Sequence, residues 1–262
     1  MNNKSLLLFS SYHKPYPLPS ASYIIPIHAG KALSKINLPM EGDNTGEQIS
    51  ERNSFYSELT ILYWVWKNFD RKKMDYWGIV HYRRYFCVNS LLGKIFNKKV
   101  YNYSESGKDL DAVLNTKLEN EIINDLQNYD VILPKPMHTY KKRGITKSIN
   151  QHYIEDHSAF DWDVTLSVIK EKYPAYQNSF PFFEGSKMSF FNMMITSWKI
   201  WDLYLSWLFD ILFEVDKQIP KSDDPYQRRV MGFISERLIN LFVYHNKLKV
   251  KYYAVAAFDK KD

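Results

Sequence analysis

DYWGIVHYRRYF, residues 75–86, is the stretch that decides the fold. Its apolar half reads as a strand of a buried sheet, and that strand runs straight into His81-Tyr82-Arg83-Arg84-Tyr85. Continued alternation would send His81, Arg83 and Tyr85 to one face and Tyr82 and Arg84 to the other. In α/β sheets, ligands bind beyond the carboxyl ends of the strands. Two guanidinium groups at such a place are costly unless each meets an anion. A diphosphate suits them, because the guanidinium fork grips phosphate oxygens in pairs. An ion pair with Glu58 or another acid would satisfy one of them equally well, and the sequence leaves both readings open.

Outward from this strand, apolar runs alternate with helical patterns. SLLLFSSY (5–12) is a buried strand stopped by His13-Lys14-Pro15, and YIIPIH (23–28) is a second. The segment 37–53 is polar and turn-rich. A helix follows, with Asn53 or Ser54 as its cap and Leu59, Leu62, Tyr63 and Trp66 at helical spacing. Residues 90–116 read as an irregular excursion. A helix near 117–127 leads into the strand DVILPKP (130–136), and 146–172 hold two helical stretches. KMSFFNMMIT (187–196) reads as a buried strand, 198–217 and 225–245 as long helices, and 248–255 as a closing strand. The expectation is α/β: a single domain over 1–262, with a mostly parallel central sheet flanked by helices and a helical C-terminal part.

Composition narrows the function. The net charge of +6 is mild and its basic residues are scattered, and no zinc-finger, RNA-platform or basic-zipper pattern is present, so a nucleic-acid partner is not expected. Cys87 stands alone, which excludes an intramolecular disulfide and fits a reducing compartment. The apolar stretch Leu6–Phe9 is too short for a signal peptide, and no segment reaches about 18 uninterrupted apolar residues. The expected location is cytoplasmic, with peripheral contact at the inner membrane allowed by the basic charge. Aromatic residues make up 16%, which suits either a carbohydrate-handling surface or a Tyr/Phe-rich core.

Three clusters carry polar groups where chemistry could reside. Gly42-Asp43-Asn44-Thr45-Gly46 brackets a loop before a helix and leads towards Glu58, an arrangement that can gather backbone N–H groups for an anion or be a plain capped loop. His81-Tyr82-Arg83-Arg84 is the second. The third runs from Glu184-Gly185 through Asn192 to Arg228, Arg229 and Glu236-Arg237. Glu236 and Arg237 read best as a helix-surface pair. Phosphate-binding glycine loops, zinc-protease motifs and nucleophile elbows are absent.

Taken together, SYHKPYP, YIIPIHAGKA, GDNTGEQISERNSFYSELTILYWVWKN, DYWGIVHYRRYF, DVILPKP, FFNMMITSWKIWDLYLSWLFDILFEVD and YQRRVMGFISERLINLFVYHNKL resemble the bacterial domain family DUF4422 of capsular polysaccharide and O-antigen gene clusters. One departure is Asn-Met-Met-Ile-Thr at 192–196, where the family pattern reads Asn-Met-Phe-Ile-Met. The resemblance implies a GT-A-like glycosyltransferase that moves a hexose, galactofuranose or galactose first, from a UDP-sugar to a lipid-linked saccharide acceptor. A non-catalytic carbohydrate-binding or scaffold protein is the alternative. GT-A folds place Asp-x-Asp and a divalent ion at the end of a central strand. Cations stand there in this chain, so the implied reaction neutralises the diphosphate with Arg83 or Arg84 and needs no metal, with Mn or Mg left possible. On this reading Tyr12, His13 and Lys14 meet the nucleotide, while Asn44, Thr45, Gly46, Glu58 and His81 complete the donor site. Asn192, Arg228 and Arg229 hold the acceptor. Glu184 is the first choice of base, ahead of Asp43 and Glu236.

Overall fold

The computed structural model describes residues 4–88, 95, 97–104 and 107–259. Of the irregular excursion expected at 90–116, residues 90–94, 96, 105 and 106 lie outside the described residues; the described part is not irregular throughout, since Val100–Ser104 form a strand and Gly107–Val113 a helix. Nine strands form the main sheet: β1 (Leu6–Tyr12), β2 (Ile24–His28), β3 (Glu41–Gly42), β4 (Tyr76–His81), β5 (Arg84–Cys87), β6 (Val100–Ser104), β7 (Val131–Pro134), β12 (Met194–Ser197) and β13 (Val250–Asp259). Their order is β12-β7-β13-β5-β4-β1-β2-β3, with β6 beside β13 and β12 also closing onto β4. The sheet is mixed. β1 runs parallel to β2 and β4, and β13 parallel to β6 and β7. β12 runs antiparallel to both β4 and β7, and β5 antiparallel to β4 and β13. Small hairpins pair β8 (Met137–His138) with β11 (Lys187–Met188) and β9 (Lys141–Lys142) with β10 (Ile145–Thr146).

Alternation along the strands builds two cores. Phe9 and Ile79 face one side, while Leu8 and Val80 face the other. The first side packs under α2 (Leu59–Asn68), α6 (Ala159–Lys172), α7 (Trp198–Gln218) and α8 (Val230–His245); the second packs under α3 (Gly107–Val113) and α4 (Thr116–Asp125). Trp77 anchors the larger core, stacked on Trp201 with ring centroids 4.3 Å apart, and the Trp201 indole N–H donates to the Trp77 carbonyl at 2.8 Å. Each fully buried large apolar side chain stabilises by roughly 1.5–3 kcal/mol. The helix stripe expected along 198–217, from Trp201 to Val215, is buried in full. One glycine makes the sheet possible: a Cβ on Gly78 would stand 2.6 Å from the Met194 carbonyl oxygen, so a side chain there would push β12 off β4.

Three more local expectations fail. The stretch 76–86 is two strands rather than one: Tyr82 and Arg83 turn the chain so that β5 folds back beside β4, with His81 opposite Arg84. The alternation that would have separated the two arginines therefore stops at Tyr82. The stretch 187–196 is also broken. Phe191 (φ 79) and Asn192 (φ 51) adopt left-handed backbone between β11 and β12. Asn53 and Ser54 belong to a short turn, α1 (Asn53–Tyr56), and Glu58 rather than either precedes α2.

Candidate functional site

A cavity of about 800 Å³ opens where β1, β2 and β4 end, and it is lined by Ser11, His13, Ala29 and His81–Arg84 on that side. Its opposite wall comes from α5 (Ile149–Asp156), the segment 223–229 and the first turns of α8. α5 starts on a capping box: the Ser148 hydroxyl accepts from the Gln151 N–H, and the Gln151 side chain accepts from the Ser148 N–H. That fixes where His152, Asp156 and the following His157 enter the cavity.

The left-handed Phe191-Asn192 pair lies at the centre, clamped through both backbone groups of Phe191 and the side-chain amide of Asn192. The Phe191 N–H donates to Glu236 Oε1 at 2.6 Å, and its carbonyl accepts from His81 Nε2 at 2.6 Å. The Asn192 amide donates to Glu58 Oε1 at 2.7 Å and to the Gly232 carbonyl at 2.9 Å, and its oxygen accepts from the Ser235 hydroxyl. Non-glycine residues in this region cost on the order of 1–3 kcal/mol each and persist where surroundings over-determine them. Here the surroundings are the cavity's own ionisable groups: one turn ties Glu58, His81 and Glu236 together.

Charge is unevenly satisfied. Arg83 reaches Asp259 at 3.1 Å and lies over the Tyr82 ring. Arg84 lies over the Phe191 ring, and among the described residues no carboxylate stands within ion-pair distance of it. Arg229 touches the Ser57 hydroxyl at 3.2 Å and likewise has no ion pair among the described residues. Its charge is felt at His13, His81 and Glu236 alike, which places it amid the site. Arg237, expected on the helix surface, is only 1% exposed. It donates to Glu236 Oε2 and the Phe233 carbonyl at 3.0 Å and to His152 Nδ1 at 3.1 Å. Glu236 is half-buried beside it and turned into the cavity, so the surface reading of both is corrected. Burial raises the Glu236 carboxyl above its ordinary range, against the pull of Arg237 and the Phe191 N–H. Burial lowers His13, His81, His152 and His157, with neighbouring arginines adding to the effect, so these imidazoles stay neutral.

Of the residues singled out from the sequence, His13, Glu58, His81, Arg83, Arg84, Asn192, Arg228, Arg229 and Glu236 all line this cavity. The others do not. Glu184 is exposed and accepts from the Asn150 amide at 2.6 Å, buttressing the first turn of α5. Asp43 is fully buried, accepting from the N–H groups of Gly30 (2.9 Å) and Lys31 (3.1 Å) and from the Ser50 hydroxyl. Thr45 receives the Trp64 indole N–H, Asn44 and Gly46 are exposed beside it, Tyr12 bonds Tyr85 inside the core, and Lys14 sits over Tyr82. Ser57, Asp156, His157, Tyr226 and Arg237 were missed as site residues; only the density of polar side chains beside apolar helix positions hinted at them. Among the described residues no group of three or more His, Cys, Asp or Glu side chains is placed to hold a metal ion.

A family model described as a domain of unknown function, DUF4422, matches residues 8–247. A solved structure described as the apo form of the WbbM bifunctional glycosyltransferase superposes with a TM-score of 0.85 at 29% identity. The match covers 98% of this chain and 46% of that one, so this chain spans less than half of that protein's length. No curated protein sequence matches.

Proposed function

The chain belongs to the DUF4422 family, and we propose that it is a glycosyltransferase acting in cell-surface polysaccharide synthesis. The donor is a UDP-hexose, galactofuranose or galactose first, and the acceptor is a saccharide, lipid-linked in the cell. The observation that carries this reading is a polar cavity at the strand ends where two guanidinium groups, Arg84 and Arg229, stand without a carboxylate partner among the described residues while two carboxylates, Glu58 and Glu236, stand beside them. A diphosphate and a hydroxyl-bearing sugar fit those two kinds of group. The likeness to a glycosyltransferase over 98% of the chain supports the same reading, as does the run of parallel strands β2-β1-β4 interrupted by antiparallel β12, which suits a GT-A-like arrangement.

The residues then divide the work. Arg84 and Arg229 take up the charge that develops on the departing UDP, with Arg83, already held by Asp259, screening from the side. Neutral His13, at the end of β1, donates a hydrogen bond to the nucleotide without adding charge. Glu58, fixed by Asn192, reads hydroxyls of the donor sugar. In a single displacement the acceptor oxygen attacks the anomeric carbon, its proton passes to Glu236, and UDP leaves with the bonding pair of the broken C–O bond. Glu236 replaces Glu184 as base because it lines the cavity and its raised pKa makes its carboxylate the stronger proton acceptor.

No described helix is long and apolar enough to cross a membrane, and contact with the inner membrane face is proposed through basic surface charge alone. Incubation with a radiolabelled UDP-hexose panel and a polysaccharide-lipid extract tests the function. Label in the extract with equimolar free UDP is expected. Saccharide binding without UDP affinity would instead make the chain a carbohydrate-binding module.

A further inference from the structure

Most of the rings that enrich this sequence are consumed by the core, yet Tyr226 is 56% exposed and lines the cavity. We propose that Tyr226 is the stacking floor of an acceptor subsite, which takes a pyranose ring of the saccharide at the helical wall; the assignment to the acceptor rests on the glycosyltransferase reading above.

The ring is built into place. Asp224 Oδ1 accepts the backbone N–H groups of Tyr226 at 2.9 Å and Gln227 at 2.8 Å. The Gln227 side chain donates to the Asp156 carbonyl at 2.9 Å and accepts from His157 Nδ1 at 3.0 Å. Beneath Tyr226 lie Phe233, with centroids 5.0 Å apart, and His157, which itself stacks on Phe233 at 4.1 Å and 16°. Three rings thus support one another, leaving the outermost partly bare.

The surroundings select the ligand. Asp223, its side chain open to solvent, stands 3.7 Å from Arg228, and Asp156 Oδ2 stands 3.2 Å from His152 Nε2 nearby. Carboxylates around an exposed ring match a sugar, whose axial C–H face stacks while its hydroxyls donate outwards. They disfavour a diphosphate, which the arginines at the strand ends attract. A nucleobase also stacks on tyrosine, with Arg229 over the neighbouring Phe233 ring at 5.6 Å to meet its phosphates, and UDP affinity is the readout that separates the two ligands. Exposure at the rim further suits a growing saccharide, whose remainder must extend into solvent.

Saturation-transfer NMR on the full chain, with UDP present, probes this using the methyl pyranosides of galactose, glucose and mannose. At least one should receive saturation on its C–H face. Tyr226→Ala should weaken that binding about tenfold, Tyr226→Trp should retain it, and the UDP affinity of both variants by calorimetry should stay within about twofold. Unchanged pyranoside binding in Tyr226→Ala overturns the proposal. A joint loss of UDP affinity makes the ring a nucleobase platform and overturns it too, as does the failure of all three pyranosides on the wild type. UDP that fails to bind while a pyranoside binds through Tyr226 strikes the glycosyltransferase reading and leaves the stacking subsite supported.

Discussion

The loop Gly42–Gly46 and the turn Phe191-Asn192 make an instructive pair. The loop has the glycines, the polar side chains and the position before a helix that mark anion sites, yet its one buried carboxylate is spent internally: Asp43 closes on Gly30, Lys31 and Ser50. The turn sits in a stretch patterned like a core strand, yet it bends into left-handed backbone and binds Glu58, His81 and Glu236. Polarity and glycine content report where a chain must turn. Where it reacts, on the proposed reading, is better marked by non-glycine strain held by ionisable partners.

The sharpest way to break this contrast is at Glu236. Glu236→Gln keeps the acceptor oxygen for the Phe191 N–H but cannot take a proton, so turnover of the folded protein should fall by about 10²–10⁴-fold, and the melting midpoint should fall as well because buried Arg237 loses its carboxylate partner. In the wild type, kcat should climb with pH as the carboxyl, raised by burial, loses its proton, and the Gln variant should lack that limb. Glu184→Gln should keep full turnover. A variant of Glu236 with undiminished transfer would dissolve the functional half of the comparison.

Arg84→Ala comes next, with an expected loss of about 10²–10³-fold in kcat, the usual consequence of removing one preorganised donor to developing charge. EDTA should leave wild-type transfer intact. If EDTA abolishes transfer and Mn²⁺ restores it, neutralisation by arginine alone is wrong. Asp43→Ala, by contrast, should act on stability: it orphans two buried N–H groups and a hydroxyl, each worth about 1–3 kcal/mol. Denaturant titration should show that loss, while the folded fraction turns over normally.

Much of this was legible before the structure. Apolar runs at 5–12, 23–28 and 130–136 gave strands, and the 3.6-residue stripe from Trp201 to Val215 gave a buried helix, because those patterns are imposed by burial on one face. The His81–Arg84 cluster was found for the same reason, since charge beside a buried strand needs a partner. What escaped were features set by tertiary closure. The β4–β5 turn at Tyr82-Arg83 carries no glycine or proline to announce it. The burial of Arg237 depends on α5 bringing His152 against α8, a contact between residues 85 positions apart. The exposed Glu184 and the buried Asp43 were misjudged for the converse reason: each had the right chemistry, and only packing showed one supporting α5 and the other closing a loop.

Asn192 sharpens the comparison on a smaller scale. Asn192→Gly relieves the left-handed backbone but removes the amide that holds Glu58, the Gly232 carbonyl and the Ser235 hydroxyl, so stability should fall by about 1–3 kcal/mol and kcat should drop with it. Gly46→Ala in the other loop should touch stability alone, since Gly46 has φ 60 and a Cβ there would collide with the Asn68 side chain. Stability should fall by about 1 kcal/mol or more with kcat unchanged.

The gentlest effect is on pH. All seven histidines have pKa values lowered by burial, among them His13, His81, His152 and His157 around the cavity. Between a lowered native pKa and the unfolded value of about 6.5 the unfolded chain binds more protons, so stability there rises with pH and is lost as pH falls. Glu236 works in the opposite sense: its raised pKa means the native state holds the extra proton, and its contribution is lost as pH rises through that value. Glu119 and Asp161 are raised likewise, and seven histidines outweigh three carboxyls, so urea midpoints should decline steadily below about pH 6.5. In His81→Asn the decline should be shallower, because one buried imidazole no longer resists protonation; a steeper decline than wild type would show instead that the Phe191 carbonyl is held by an imidazolium in the folded protein.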